Sequence, residues 1–283
     1  MDNDAAFVAE RVLTLEQLKK CVDAIPENAP DAESGAKNAR AHWRYVFGRR
    51  LVRSDRYAEA AQYLPAPTDK IVQLYAQALH DGADTKLSKE KRAEAWFHAA
   101  WIARFDGMEL MGTEVAPDAF TTEGSFPIED IAQERLRGTY DKISYSDGNE
   151  VRTPIPIPLR PSRQELQRLK ANRLEPDVRF HYRLIAGALA MKAADLLPDQ
   201  SEELADVINS AGTWVKDRDE KLGNRYFAIL DRRAARTEIG RQASPKHWFV
   251  DTPGPWSTRE KTAYGAMHKE LAPTEATPAP GSQ

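Results

Sequence analysis

The chain has 283 residues, 41% of them hydrophobic and 29% charged, and a net charge of −3. That is length for one large domain or two ordinary ones with a substantial core. The slight acidity removes any global case for a nucleic-acid binder, and only 15 glycines disfavour a turn-rich all-β fold. No stretch approaches the roughly 18 apolar residues of a membrane span. The single cysteine, Cys21, excludes an intrachain disulfide. Its neighbours Leu18, Val22 and Ile25 imply a packed thiol on an apolar helix face. The acidic N-terminus has no signal core, so the chain as written reads as cytoplasmic. Removal of an upstream signal would make it periplasmic or envelope-bound.

In chain order, residues 10–25 predict an amphipathic helix with a Thr14/Gln17 capping box. A polar loop follows over 26–36. Trp43, Phe47, Leu51 and Val52 recur at helical spacing. After a break at Ser54-Asp55, Tyr57, Ala60, Ala61 and Leu64 define a short second helix, stopped by Pro65 and Pro67. Residues 69–80 and 88–111 predict two further helices. The interval 112–162 concentrates Gly and Pro and reads as an irregular insertion. It holds a short helix near 127–137, a hairpin over 142–152 closed at Asp147-Gly148, and a polyproline-like run from Ile155 to Leu159. Helices then follow over 162–172 (a second capping box, Ser162/Glu165), 177–197, 201–216 and 221–242. Ser244-Pro245 reads as a cap with proline at the first helical position. Trp248, Phe249 and Trp256 are expected to dock on the last helices. The Pro/Thr-rich residues 272–283 suit a disordered tail. The domain reading is therefore 1–111, 112–162, 163–271 and that tail, in an all-α fold with one small hairpin.

Repetition is the strongest signal. Arg44, Phe47, Gly48 and Leu51, then Tyr57, Ala60 and Leu64, have the spacing of two paired helices. Gly48 permits close approach there, Phe47 and Leu51 fill the interface, and Leu64 closes it. Trp96, Ala99, Ala100 and Ala103 with Gly107 repeat a first helix. Ala186, Ala190 and Ala193 before Pro198 repeat a second, and Ile208, Ala211, Gly212 and Val215 a first again. These pieces resemble degenerate tetratricopeptide repeats. The segment Tyr226, Phe227, Leu230, Thr237, Ile239 and Gly240 is similar to units of bacterial envelope-associated, periplasmic helical-repeat lipoproteins. Gly48, Ala100 and Gly212 are not separated by multiples of about 34 residues, so the resemblance implies an irregular α-hairpin solenoid. Phe47, Gly48, Leu51, Ala60, Trp96, Ala100, Ala190 and Gly212 are its expected packing residues.

Chemistry-bearing motifs are scarce. The six histidines show no ligand spacing and read as partly exposed surface residues, so no metal or other cofactor is expected. No nucleophile elbow or phosphate-cradling glycine loop occurs. Glu129, Asp130 and Glu134 read as a solvated helix face. The residues around Asp147-Gly148 lack the acidic ligands of a calcium loop.

Arginines crowd two hairpins: Arg40, Arg44, Arg49, Arg50, Arg53 and Arg56, and Arg225, Arg232, Arg233, Arg236 and Arg241. One reading pairs them with Asp55, Glu59, Asp231 and Glu238. The other converges Arg44, Arg49, Arg53, Arg232 and Arg236 on a groove for an acidic peptide or the carboxyl terminus of a partner, because guanidinium forks hold carboxylates bidentately. The function expected first is a non-catalytic scaffold or adaptor for a protein or peptide partner. An accessory subunit of a cell-envelope assembly, docking through 112–162, is second. An enzyme using Glu109, Glu114, Asp118 and His181 under the insertion is third.

Overall fold

A computed structural model describes residues 3–27, 34–119, 139–146, 149–156 and 161–271. The expected helix at 127–137 and the tail 272–283 lie outside the described residues. The fold is mostly helical with one two-stranded antiparallel sheet. It divides into two units: residues 1–27 with 112–179, and residues 28–111 with 180–283. The units interleave in sequence, so they do not follow the boundaries 1–111, 112–162 and 163–271.

The first unit holds α1 (Asn3–Phe7), a π-helical turn (Val8–Val12), α2 (Leu15–Asp23), strands β1 (Thr139–Ser146) and β2 (Asn149–Pro156), and α8 (Arg163–Ala171). The expected start of a helix at 10 moves to Leu15, because the Thr14/Gln17 box closes in both directions, at 3.2 and 3.0 Å. On α2, Leu18 and Val22 are buried but Cys21 is exposed. Successive helical residues are rotated about 100°, which turns the thiol off the Leu18/Val22 stripe and corrects the packed-thiol expectation. Arg11 donates to the carbonyls of Asn172 (2.9 Å) and Ala116 (2.5 Å), and Asn172 Nδ2 returns a bond to the Arg11 carbonyl at 2.9 Å.

Ser146 pairs with Asn149, so β1 and β2 form the antiparallel hairpin that the sequence implied, with its expected turn, Asp147-Gly148, outside the described residues. The polyproline expectation is corrected at its first two residues: Ile155 and Pro156 belong to β2, and Pro154 precedes them in the same strand. Pairing parity explains the tolerance. With a two-residue loop the Ser146–Asn149 pair exchanges hydrogen bonds and alternate pairs do not. Pro154 (opposite Asp141) and Pro156 (opposite Thr139) both fall at non-bonded positions, where an N–H would point away from the partner strand.

The second unit contains α3 (Ser34–Val52), α4 (Tyr57–Ala60), α5 (Thr68–Ala83), α6 (Lys89–Phe105), α7 (Gly107–Met111), α9 (His181–Ala194), α10 (Glu202–Val215), α11 (Glu220–Ala234), α12 (Glu238–Ala243), a 3-10 turn (Ser244–Lys246) and α13 (Pro255–Leu271). Its largest helix contacts run α5 on α6, α6 on α9, α9 on α10, and α10 on α11. The succession therefore continues from α6 to α9 although residues 112–179 separate them in sequence. α6 and α9 are antiparallel: Lys192 sits 4.4 Å over the Trp96 ring at one end, and Gly107 meets Tyr182 at the other.

Small residues set these approaches. A Cβ at Gly48 would lie 2.8 Å from Leu64 Cδ2, and one at Gly82 2.5 Å from the Trp96 ring. Phe47, Leu51, Ala60, Ala100 and Ala190 are fully buried, and Trp96 is half-buried. Gly212 faces the Phe249 ring rather than a partner helix. α10 is buried almost all round, as a central helix must be.

Three expectations are corrected in this unit. The helix expected over 221–242 breaks after Ala234, because Thr237 caps a new helix by accepting from the Gly240 N–H at 3.0 Å. The expected helix start at 177 moves to His181, since Phe180 adopts a left-handed conformation (φ 60°). That turn aims His181 inward at 2% exposure, not to the surface. α13 was not expected from sequence. Trp256 and Phe249 are buried, as expected of docked aromatics.

Candidate functional site

The five arginines singled out from sequence divide into two sets. Arg44 lies 4.7 Å over the Tyr63 ring and donates to the Gln62 carbonyl. Arg49 is wholly buried, 4.4 Å over Tyr45, and Arg53 donates to the Met111 carbonyl at 3.2 Å. These three tie α3 to its surroundings. Arg232 and Arg236 are exposed. Between them Arg233, partly buried, bonds Asp199 at 2.6 Å and the Ala194 and Leu197 carbonyls. The alternative pairing is seen at Arg56–Glu59 (2.5 Å) and Arg241–Glu238 (2.8 Å).

A different set of arginines gathers where three helices end. Arg104 occupies the last turn of α6, Arg183 the first turn of α9, and Arg218 follows α10. Arg183 and Arg218 lie 4.8 and 4.7 Å from the centre of the same ring, Phe180. Arg104 lies 5.0 Å over Phe105. Burial pushes the Arg104 guanidinium below its ordinary value, and the neighbouring Arg183 charge pushes it further. Among the described residues none of the three forms an ion pair, and the Nε atoms of Arg104 and Arg183 are buried without a hydrogen-bond partner.

Local structure makes this grouping unfavourable for the protein alone. A cation in the first turn of a helix opposes the helix dipole, and α9 has no acidic residue there. A bulky residue such as Phe180 at positive φ is strained, and strain of this kind clusters at binding sites. The C-terminal ends of α6 and α10 supply only partial negative charge in return.

The arrangement can hold an oxyanion, since guanidinium forks bind carboxylate bidentately. It cannot move protons, because arginine stays protonated. Of the residues considered for an enzyme, Glu109 is exposed. Glu114 and Asp118 belong to the first unit, where Asp118 accepts from the Thr113 N–H at 3.1 Å and Glu114 donates its N–H to Glu10 at 3.0 Å. His181 belongs to the second unit, edge-on to Tyr182. Among the described residues no His, Cys, Asp and Glu group could hold a metal ion, and no helix is long and apolar enough to cross a membrane.

No family model, no curated protein and no solved structure matches the sequence.

Proposed function

We propose that the protein is a non-catalytic scaffold that holds an acidic segment of a protein partner at Arg104, Arg183 and Arg218. The observation that carries this reading is that Arg183 and Arg218 share the Phe180 ring, Arg104 neighbours Arg183, and among the described residues none of the three forms an ion pair. A carboxylate-bearing segment would supply the missing charge and the missing acceptors for two buried Nε atoms. The helix succession would then be an irregular tetratricopeptide-like array, a reading supported by the Gly48–Leu64 and Gly82–Trp96 approaches.

The test is fluorescence anisotropy with a labelled peptide of about eight glutamates as the probe, at low salt because screening weakens exposed charge contacts. The wild-type protein binds it saturably. Arg104→Gln and Arg183→Gln each weaken binding about tenfold, the loss of one charge-assisted contact. Arg232→Gln with Arg236→Gln changes it by less than about twofold. No saturable binding, or equal weakening by the Arg232/Arg236 pair, overturns the assignment.

A further inference from the structure

The two strands of the sheet present different outer edges. Bonded pairs alternate with non-bonded ones along the ladder, so Ser144–Val151 and Lys142–Thr153 are bonded like Ser146–Asn149. The N–H and C=O groups of Asp141, Ile143 and Tyr145 on β1 therefore point away from β2. Those of Glu150, Arg152, Pro154 and Pro156 on β2 point away from β1 in the same way, except that the two prolines offer no N–H. Proline on an outer edge blunts it against further pairing. The β1 edge carries no such block, and among the described residues no third strand covers it. Ile143 and Tyr145, which share a face, are 49% and 75% exposed. A two-stranded sheet this exposed is marginal in water, and added strands with an apolar face stabilise it.

We propose that β1 is a self-pairing edge: two copies of the chain join β1 to β1 antiparallel and form one four-stranded sheet of order β2-β1-β1-β2. This goes beyond the anion-binding reading, whose three arginines lie in the other unit, and stands whether or not an anion binds.

Charge and apolar exposure select the register. A twofold antiparallel pairing must set outward-pointing residues opposite outward-pointing residues. With Asp141 opposite the second copy's Ile143, Lys142 would face Lys142, and like charges directly opposite destabilise a sheet. With Ile143 opposite itself, Tyr145 gains no apolar neighbour. With Ile143 opposite the second copy's Tyr145, the two exposed apolar residues of each copy meet, a favourable β-branched–aromatic pair formed twice. Ser144 then faces Ser144 at the axis, and Lys142 faces Ser146. Arg152 lies beside Ile143 and Glu150 beside Tyr145 within each hairpin, joined at 2.5 Å. Each row across the four strands thus reads Arg152, Ile143, Tyr145, Glu150, and the second row runs the opposite way. The apolar centre is rimmed by two cations and two anions, which is the anatomy of a protein interface. The edge is its own complement, which is why the occupant is a second copy. Growth stops at two copies, because the edges left outside carry Pro154 and Pro156.

Sedimentation equilibrium of the full-length protein between about 5 and about 500 µM tests this. The weight-average mass is expected to rise reversibly from 31.8 kDa toward twice that value, with a dissociation constant on the order of 100 µM, since the interface is small. Ile143→Pro removes an outward N–H and no bond between β1 and β2, and should weaken association at least about tenfold. Tyr145→Lys keeps every backbone group and should weaken it about tenfold by placing charge on the edge. Arg152→Pro makes the same backbone change on the outer edge of β2 and should alter it less than about twofold. In a Cys21→Ser background, Ser144→Cys should cross-link two copies on oxidation, because residues opposed at the axis lie about 4.5 Å apart at Cα. Lys142→Cys, about 13 Å from its counterpart, should not. The proposal is overturned if the wild-type protein stays monomeric throughout, or if either Ile143→Pro or Tyr145→Lys leaves association unchanged. It is equally overturned if Arg152→Pro weakens association as much, or if Lys142→Cys cross-links as readily as Ser144→Cys.

Discussion

Gly212→Ala isolates steric contact from every other property of a core position. The new Cβ would lie 1.9 Å from Phe249 Cζ and 2.0 Å from Cε1. Those are ring atoms of a buried side chain, backed by Phe227 at 5.8 Å and Trp248 at 5.3 Å between ring centres. Overpacking of a close core costs about 1–3 kcal/mol, and so deep an overlap belongs at the upper end. Alanine in place of glycine inside a helix returns about 1 kcal/mol. The net expectation is a loss of about 2 kcal/mol, or roughly 4–8 °C in Tm for a domain of this size. Gly265→Ala in α13 is the control, because among the described residues nothing lies within 4 Å of its Cβ. It should gain about 0.5–1 kcal/mol from helix propensity alone. Urea unfolding of both variants gives the two values. If Gly212→Ala is as stable as Gly265→Ala, Phe249 does not pack on α10 and the docking of residues 248–256 is misassigned.

Other substitutions test neighbouring contacts. Asp206→Ala strands the Ser257 and Gly254 N–H groups at the start of α13. It is expected to destabilise by about 3 kcal/mol and to raise exchange first in residues 255–271. Arg233→Ala removes the contacts to Asp199, Ala194 and Leu197 and should cost about 1–3 kcal/mol in urea unfolding, while Arg232→Ala stays within about 0.5 kcal/mol. Asp106→Asn removes a buried charge whose proton affinity is raised. At about pH 8, well above the ordinary carboxylate range, the variant should be at least as stable as wild type by thermal unfolding, and its advantage should shrink toward pH 5.

Local signals were legible in the sequence wherever a single turn decides the structure. The Thr14/Gln17 box and the hairpin of β1 and β2 are of that kind. The break at 234–237 was missed: Thr237 is an N-cap residue, but the Leu230–Ile239 periodicity masked it. α13 escaped because its buried stripe is Trp256, Glu260, Tyr264 and His268, which has helical spacing without an aliphatic pattern. The interleaved units escaped because no local pattern reports that α6 packs on α9 across residues 112–179.

The arginines of the proposed site are not those the sequence singled out. Counting arginines drew attention to the crowded hairpins, where Arg44 and Arg49 are spent on tyrosine rings. Arg104 and Arg183 lie on two helices and Arg218 in the turn after a third. Each lacks an acid three or four residues away, unlike Arg56 with Glu59 or Arg173 with Asp177. Arg44 and Arg49 share that lack, so only the tertiary structure separates the two groups.

The central claim is that Arg183 serves a ligand and not the fold, and the unfolding midpoint of Arg183→Gln with and without the glutamate peptide tests it most directly. Without peptide the variant should unfold within about 1 kcal/mol of wild type, because the lost contact with Phe180 is offset by relief from Arg104 and Arg218. With peptide, only wild type should gain stability. A variant that unfolds several degrees early without peptide, and still gains as much from it, contradicts the account.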